Sequence, residues 1–149
     1  MLREVLTENL VDPDLTASTK LEVIERLVDM LCATGEVHSR EQALADVQAN
    51  EHRSSTGMQH GVAIPHAKSA AVDHLLACVA VTRSPVEFDS LDRKPCRIFV
   101  MTLSPPDQTG PHMRFLAEIG RLMKHRRARQ AVLAARTRAE LLEAIIGRE

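Results

Sequence analysis

The chain has 149 residues, of which 44% are hydrophobic and 26% charged, so it can build one globular domain, which we expect to span residues 1–149. A formal net charge of −1 and an aromatic content of 2% argue against a general nucleic-acid binder. The sequence has no apolar run near the ~20 residues of a membrane helix, no signal-peptide pattern and no CxxC pair among its three cysteines, so we expect a cytoplasmic protein without membrane insertion.

Two helices are predicted in the first third of the chain. Leucine, isoleucine and valine recur at helical spacing over 18–34, with hydroxyl residues to cap the start and Gly35 to end the helix. A second helix is predicted over about 40–49, because Ser39 and the glutamine three residues later form a capping box. Residues 50–60 are rich in turn formers and are expected to be a loop.

The middle of the chain has the pattern of β-strands. Short apolar, β-branched runs predict strands over 61–65, 75–82 and 97–103. The Ser-Pro pair at 84–85 is expected to break the second of these, and 86–88 is expected to be a short extended piece.

The last third returns to helices. Residues 104–110 are too rich in proline and glycine for a helix or a strand and predict a loop. Helices are predicted from Pro111, which suits a first helical position, to about 125, then over 127–135 and over 137–146. Strands interleaved with helices predict an α/β fold: a single three-layer domain with a mixed β-sheet and helices on both faces.

His66 stands directly after the strand predicted over 61–65, which ends at Pro65. Proline cannot donate a ladder hydrogen bond, so it marks the end or the edge of a strand. A histidine on such a stiff corner, near the rim of a sheet, can present a nucleophilic nitrogen when it is neutral. A histidine at a strand end is more often simply packed or solvated, so this position alone does not decide between structure and chemistry.

A longer motif surrounds His66. Residues 55–67 read Ser-Thr-Gly-Met-Gln-His-Gly-Val-Ala-Ile-Pro-His-Ala, which closely resembles the phosphorylation-site signature of the fructose/mannitol-type enzyme IIA of the bacterial phosphotransferase system. The chain is most similar to the nitrogen-regulatory branch, a free-standing single domain, and the resemblance runs from about Leu15 to Ile146. The resemblance implies the same layered α/β fold, and it implies that His66 carries a phosphoryl group.

The resemblance also implies partners. His66 would take the phosphoryl group from a histidine phosphocarrier protein, then pass it to a IIB-type acceptor or use it as a signal to a regulated target. Because the group already sits on an activated nitrogen, we expect no cofactor, and the sequence contains neither of the common glycine-rich phosphate loops. The absence of a fused membrane segment in this sequence favours regulation over direct sugar transport. The alternative is a regulatory protein-binding module on the same fold whose phosphorylation is impaired.

His112 is the second candidate for the site. It lies one residue inside the helix predicted to start at Pro111, where unpaired N–H groups and the positive end of the helix dipole favour an anion. In the resembling family a second histidine stands at the start of this helix, which implies that His112 assists His66. Without the motif, an exposed polar residue of a first helical turn would be the simpler interpretation.

The sequence departs from the family pattern ahead of the motif. The family places an Arg-Glu pair sixteen residues before its phosphorylated histidine, where this chain has Asn50 and Glu51. Asparagine cannot neutralise a phosphate as a guanidinium does, so we expect slower phosphorylation, substitution by Arg53, or a drift toward a binding role. Thr56 within the motif and Lys68 just after it are the remaining candidates for contacts to phosphate or partner.

Two other features have simpler interpretations. Four histidines are spread over a loop, a strand end and a turn without the short spacings of a zinc site, so no metal is expected; they are His52, His60, His66 and His74. The basic run from Lys124 to Arg129 could meet nucleic-acid phosphates or an acidic partner surface, but cations at a helix end are most often solvated. We therefore expect no nucleic-acid partner.

Overall fold

The computed structural model describes residues 1–147, which form six α-helices and a five-stranded sheet. The elements in chain order are α1 (Leu2–Val5), a 3₁₀ turn (Glu8–Leu10), β1 (Val11–Asp12), α2 (Lys20–Cys32), α3 (Arg40–Arg53), β2 (Val62–Ala63), β3 (His66–Lys68), β4 (Leu76–Val86), β5 (Cys96–Ser104), α4 (Thr109–Met123), α5 (Arg126–Ala134) and α6 (Arg138–Ile146). None of these helices combines the length and the apolar character that crossing a bilayer requires.

The sheet is mixed, as predicted. The long strands β4 and β5 are antiparallel at its centre, β1 runs parallel to β4 on one side, and β2 and β3 run parallel to β5 on the other. Residues of β2 and β3 pair with β5 at the same offset, since Val62 lies opposite Ile98 and His66 lies opposite Thr102. The two short strands are therefore one line of chain, interrupted between Ala63 and His66.

Helices cover both faces of this sheet, which confirms the predicted three-layer α/β fold. Side chains of successive strand residues point to opposite faces, yet β4 is buried at every position from Leu76 to Thr82. This stretch is buried on both faces because α2 packs on β4, α4 and α5 pack on β5, and α6 packs on β1. The largest fully buried side chains include Phe88, Phe99 and Phe115, each contributing about 1.5–3 kcal/mol by burial.

Two predicted strand boundaries were wrong, and one strand was not predicted. Pro65 interrupts the strand without ending it, because its carbonyl still accepts from the Thr102 N–H at 3.2 Å and pairing resumes at His66. Pro85 does not break β4, because it is exposed where the pairing with β5 shifts register, and no ladder bond is lost there. The two-residue strand β1 has no sequence pattern long enough to detect.

The predicted helix boundaries also need correction. Helix α3 continues to Arg53, four residues past its predicted end, because Glu51 falls one turn after Val47 on the buried face and a carboxylate is accommodated there. Helix α4 begins at Thr109, two residues before Pro111, with Gln108 at its N-cap and no side-chain capping bond. The loop before the motif is therefore short, and Asn50 and Arg53 lie on a helix.

The loop that follows α3 packs closely on the segment between β4 and β5. The Ser55 hydroxyl donates to the Phe88 carbonyl at 2.8 Å, and the Leu91 N–H donates to the Gly57 carbonyl at 3.1 Å. A Cβ at Gly57 would lie 2.6 Å from Ser90 Oγ and 2.8 Å from the Phe88 carbonyl oxygen. Only glycine fits this approach without displacing backbone.

Gly57→Ala should therefore lower the free energy of unfolding by about 1–3 kcal/mol, the usual cost of overpacking. Urea denaturation measures this difference. Gly120→Ala is the matched control, since a Cβ there meets nothing within 4 Å and alanine favours a helix by up to ~1 kcal/mol. Equal stabilities for the two variants would contradict the close approach at Gly57.

Candidate functional site

Two histidines that are distant in the chain meet beside the edge of the sheet. His66 opens β3 and His112 lies in the first turn of α4, and their ring centroids are 5.6 Å apart at an interplanar angle of 57°. His66 is half-buried, whereas His112 is only 4% exposed. The structure thus brings together the two residues that the sequence pointed to most strongly.

A hydrogen bond to the backbone orients the His66 ring. Its Nδ1 lies 2.7 Å from the carbonyl oxygen of Ile64. A carbonyl can only accept, so Nδ1 carries the ring proton and donates it. In the neutral ring Nε2 then has a free lone pair, which makes it the nucleophilic nitrogen.

The acceptor carbonyl is itself held in place. The Ile64 N–H donates to the Thr56 carbonyl at 3.1 Å, and the next residue, Pro65, has a fixed φ angle. Gly57 and Ala63 form an isolated antiparallel bridge beside this bond. The position of the His66 ring therefore depends on how the loop of the motif is closed.

A buried carboxylate closes that loop. Glu51 accepts from the Thr56 N–H at 2.8 Å and from the Thr56 hydroxyl at 2.6 Å, and it pairs with the Lys20 ammonium at 2.8 Å. The Thr56 hydroxyl is thus engaged by Glu51, and in this geometry Thr56 positions the loop. Sequence reasoning assigned no role to Glu51 or Lys20, although a glutamate one turn after Val47 on a buried helix face was a usable signal.

A hydrogen bond to a serine hydroxyl orients the His112 ring. Its Nδ1 lies 2.8 Å from the hydroxyl oxygen of Ser104, the last residue of β5. Burial lowers the pKa of His112 to about 4, with smaller contributions from His66 and Lys68. The ring is therefore neutral at physiological pH. Ser104 was missed in the sequence, where it was counted as part of a loop.

Lys68 supplies positive charge on the strand face that carries His66. It lies two residues after His66 in β3, so both side chains point to one face of the strand. Its ammonium donates to the hydroxyl of Thr109, the first residue of α4. The lysine and the positive end of the α4 dipole thus lie together, a setting that favours an anion.

A cleft of about 340 Å³ leads to His66 between α4 and the motif loop. Asn50 lines this cleft, together with Met58 of the loop and Leu116 and Gly120 of α4. Arg53 is not part of the lining, but its guanidinium donates to the Asn50 side-chain oxygen at 3.1 Å. Asn50 therefore presents a neutral amide to the cleft, and the guanidinium of Arg53 is hydrogen-bonded to that amide.

The remaining sequence candidates lie elsewhere. Within residues 1–147 no three histidine, cysteine or acidic side chains come together in a way that could hold a metal ion. His74 pairs with Glu36 at 3.2 Å, away from the cleft. The basic run spans the end of α4 and the start of α5, where the Arg129 guanidinium donates to the Met123 carbonyl at 2.7 Å.

Comparisons with known proteins identify the family of this chain. The model of a family described as phosphoenolpyruvate-dependent sugar phosphotransferase system, EIIA 2, matches residues 4–147. The chain is 31% identical over 121 residues to the fructose-specific EIIA component of Haloferax volcanii, covering 81% of this chain and 79% of that protein. It therefore belongs to the EIIA type 2 family of the phosphotransferase system and is a phosphotransferase component, which confirms the family expected from the motif.

Two solved structures share the fold of this chain. The nitrogen regulatory protein IIA-Ntr of Neisseria meningitidis superposes with a TM-score of 0.89 at 26% identity, covering 95% of this chain and 97% of that one. The mannitol enzyme IIA of Escherichia coli, solved in complex with phosphorylated mannitol enzyme IIB, gives a TM-score of 0.82 at 16% identity over 96% and 98% of the two chains.

The low pKa of His112 predicts how stability depends on pH. A folded-state pKa of about 4, below the ordinary 6.5, means that protons bind the unfolded chain more tightly. The contribution of His112 to the free energy of unfolding is therefore complete above about pH 6.5 and is lost as the pH falls toward 4. Between pH 7.5 and 4.5 this loss should be at most about 2–3 kcal/mol.

Urea denaturation at these two pH values measures the effect. His112→Asn should lose less stability on acidification than the unaltered protein, and the exposed His52→Asn should lose the same amount as the unaltered protein. Equal losses in all three proteins would show that His112 does not titrate as its burial requires.

Proposed function

We propose that the chain accepts a phosphoryl group on Nε2 of His66 from a phosphohistidine of a histidine phosphocarrier protein. The Nε2 lone pair forms a bond to phosphorus while the P–N bond of the donor breaks, and the electron pair of that bond stays on the donor imidazole. The Nδ1 proton remains on the His66 ring. The observation that carries this proposal is the 2.7 Å hydrogen bond from Nδ1 to the Ile64 carbonyl, which leaves Nε2 as the free nitrogen.

The surrounding groups suit an added dianion. The His112 ring lies 5.6 Å from the His66 ring, and Lys68, two residues after His66, is bonded to Thr109 at the start of α4, so these groups can stabilise the phosphoryl oxygens as the group arrives. Such transfer needs positioning and charge stabilisation more than covalent help. The groups present are sufficient without a metal or a nucleotide, because the phosphoryl group arrives on an activated nitrogen.

The second partner is an acceptor or a target protein. The mannitol enzyme IIA of the same fold forms a complex with phosphorylated enzyme IIB, which supports a IIB-type acceptor here. Similarity to nitrogen regulatory proteins supports a regulated target instead or in addition. Met58 of the cleft lining is 40% exposed, and Met113, the residue after His112, is 57% exposed, so both offer apolar contacts to a partner. The three free cysteines favour a reducing compartment, in which case this exchange takes place in the cytoplasm.

A second function is favoured by Asn50. The neutral amide faces the cleft where the family has a guanidinium, and its oxygen is already engaged by Arg53. A site with reduced phosphate affinity could serve as a binding module whose partner is chosen mainly by the unphosphorylated surface. Both functions can occur in one protein, since a dianion at His66 would change the surface that a partner meets.

Incubation with a phosphorylated histidine carrier should label the chain with acid-labile, alkali-stable phosphate. His66→Asn should abolish the label, because it removes the nucleophilic nitrogen. His52→Asn is the control and should keep it, since His52 lies on the exposed end of α3. No label on the unaltered chain, or label that persists in His66→Asn, would refute phosphorylation at His66.

Asn50→Arg should accelerate phosphorylation. A charge-assisted contact to phosphate stabilises by about 1–3 kcal/mol, which corresponds to a rate increase of roughly 5- to 150-fold in single-turnover labelling. Asn50→Gln adds length without charge and should leave the rate within about twofold. If Asn50→Arg is no faster than Asn50→Gln, the charge at this position does not limit transfer.

A further inference from the structure

We propose that Ser104 is a positioning residue whose hydroxyl donates to Nδ1 of His112 and holds that ring as the neutral tautomer with its proton on Nε2. The geometry alone assigns the tautomer. Its use, as a hydrogen-bond donor to a phosphoryl group on His66, rests on the function proposed above.

Ser104 is built rigidly into the sheet. It is the last residue of β5, is 0% exposed, and lies opposite Lys68 in the register with β3. Its carbonyl accepts from the Ser69 N–H at 2.8 Å. Its hydroxyl oxygen lies 2.8 Å from Nδ1 of His112, which is its single hydrogen-bond partner within residues 1–147. The backbone of β5 thus sets where this hydroxyl lies.

Only one direction of the bond between Ser104 and His112 leaves every buried proton with an acceptor. If Nδ1 of His112 carried the proton and donated it, the Ser104 hydroxyl proton would be left without an acceptor in a place that water does not reach. Buried polar groups without a partner are strongly disfavoured. If the hydroxyl donates to Nδ1, both groups are satisfied and the ring proton lies on Nε2.

The two histidines are then held as opposite tautomers. The carbonyl of Ile64 accepts from His66 and leaves a lone pair on its Nε2, whereas the hydroxyl of Ser104 donates to His112 and leaves a proton on its Nε2. With ring centroids 5.6 Å apart, one ring can hold phosphorus while the other donates to a phosphoryl oxygen. The other tautomer of His112 would turn a lone pair toward an anion and repel it.

The neutral amide at Asn50 makes the hydrogen-bond donor of His112 more important. With no guanidinium lining the cleft, the neutral His112 donor carries a larger share of the stabilisation of the phosphoryl oxygens, together with Lys68. Losing the donor orientation should therefore slow transfer without removing the nucleophile.

Nitrogen-15 NMR of the imidazole side chains at pH 7 tests the assignment directly. In the unaltered protein His66 should show the Nδ1–H tautomer and His112 the Nε2–H tautomer. Ser104→Ala should convert His112 to a mixture of tautomers and slow labelling from a phosphorylated histidine carrier about 10- to 100-fold. Ser104→Thr keeps the hydroxyl and should restore both the tautomer and the rate.

The proposal is overturned if His112 carries its proton on Nδ1 in the unaltered protein, or if Ser104→Ala leaves both tautomer and rate unchanged. Should Ser104→Ala fail to fold, Ser104→Cys replaces it, because it has a similar shape and a much weaker donor. An unaltered protein that shows the expected tautomers but takes no phosphate would refute the proposed function and leave the assignment standing.

Discussion

The site depends on one hydrogen bond, from the His66 ring to the carbonyl of Ile64. The bond runs between residues two apart in the chain, at the point where pairing with β5 resumes at His66 directly after Pro65. The carbonyl is held in turn by the loop that Thr56 and Glu51 close. The position of the proton on one imidazole ring is thus set by backbone geometry.

The second constraint is charge. His112 is buried and neutral, and the cleft is lined by Asn50 and not by a guanidinium, so the positive charge that adjoins the site comes from Lys68, from the start of α4 and from Arg53, which reaches the cleft only through its bond to Asn50. Such a site can hold a dianion, but with fewer cationic contacts than the family pattern supplies. We propose that a few hydrogen-bond donors, and not the fold, set the balance between the two proposed functions, phosphoryl carrier and binding module.

Local patterns in the sequence sufficed to predict the mixed sheet, the two histidines and five of the six helices within residues 1–147, the short α1 being the exception. Capping residues mark helix starts, and the motif around His66 is long enough to identify a family. The continuation of the strand past Pro65, the closure of the loop by Glu51 and Lys20, and the bond from Ser104 to His112 were not predictable. Each depends on which residues the sheet register and the packing of α2, α3 and α4 bring together, which no local pattern records.

We propose that the hydrogen bond to the Ile64 carbonyl leaves Nε2 as the reactive nitrogen of His66. Phosphorylation of the nitrogen-15-labelled chain by a histidine carrier, followed by phosphorus–nitrogen coupling measurements, identifies the nitrogen that bears phosphorus. The structure predicts coupling to Nε2 of His66, with the proton retained on Nδ1. Phosphorus on Nδ1 of His66, or on any other histidine, would contradict it.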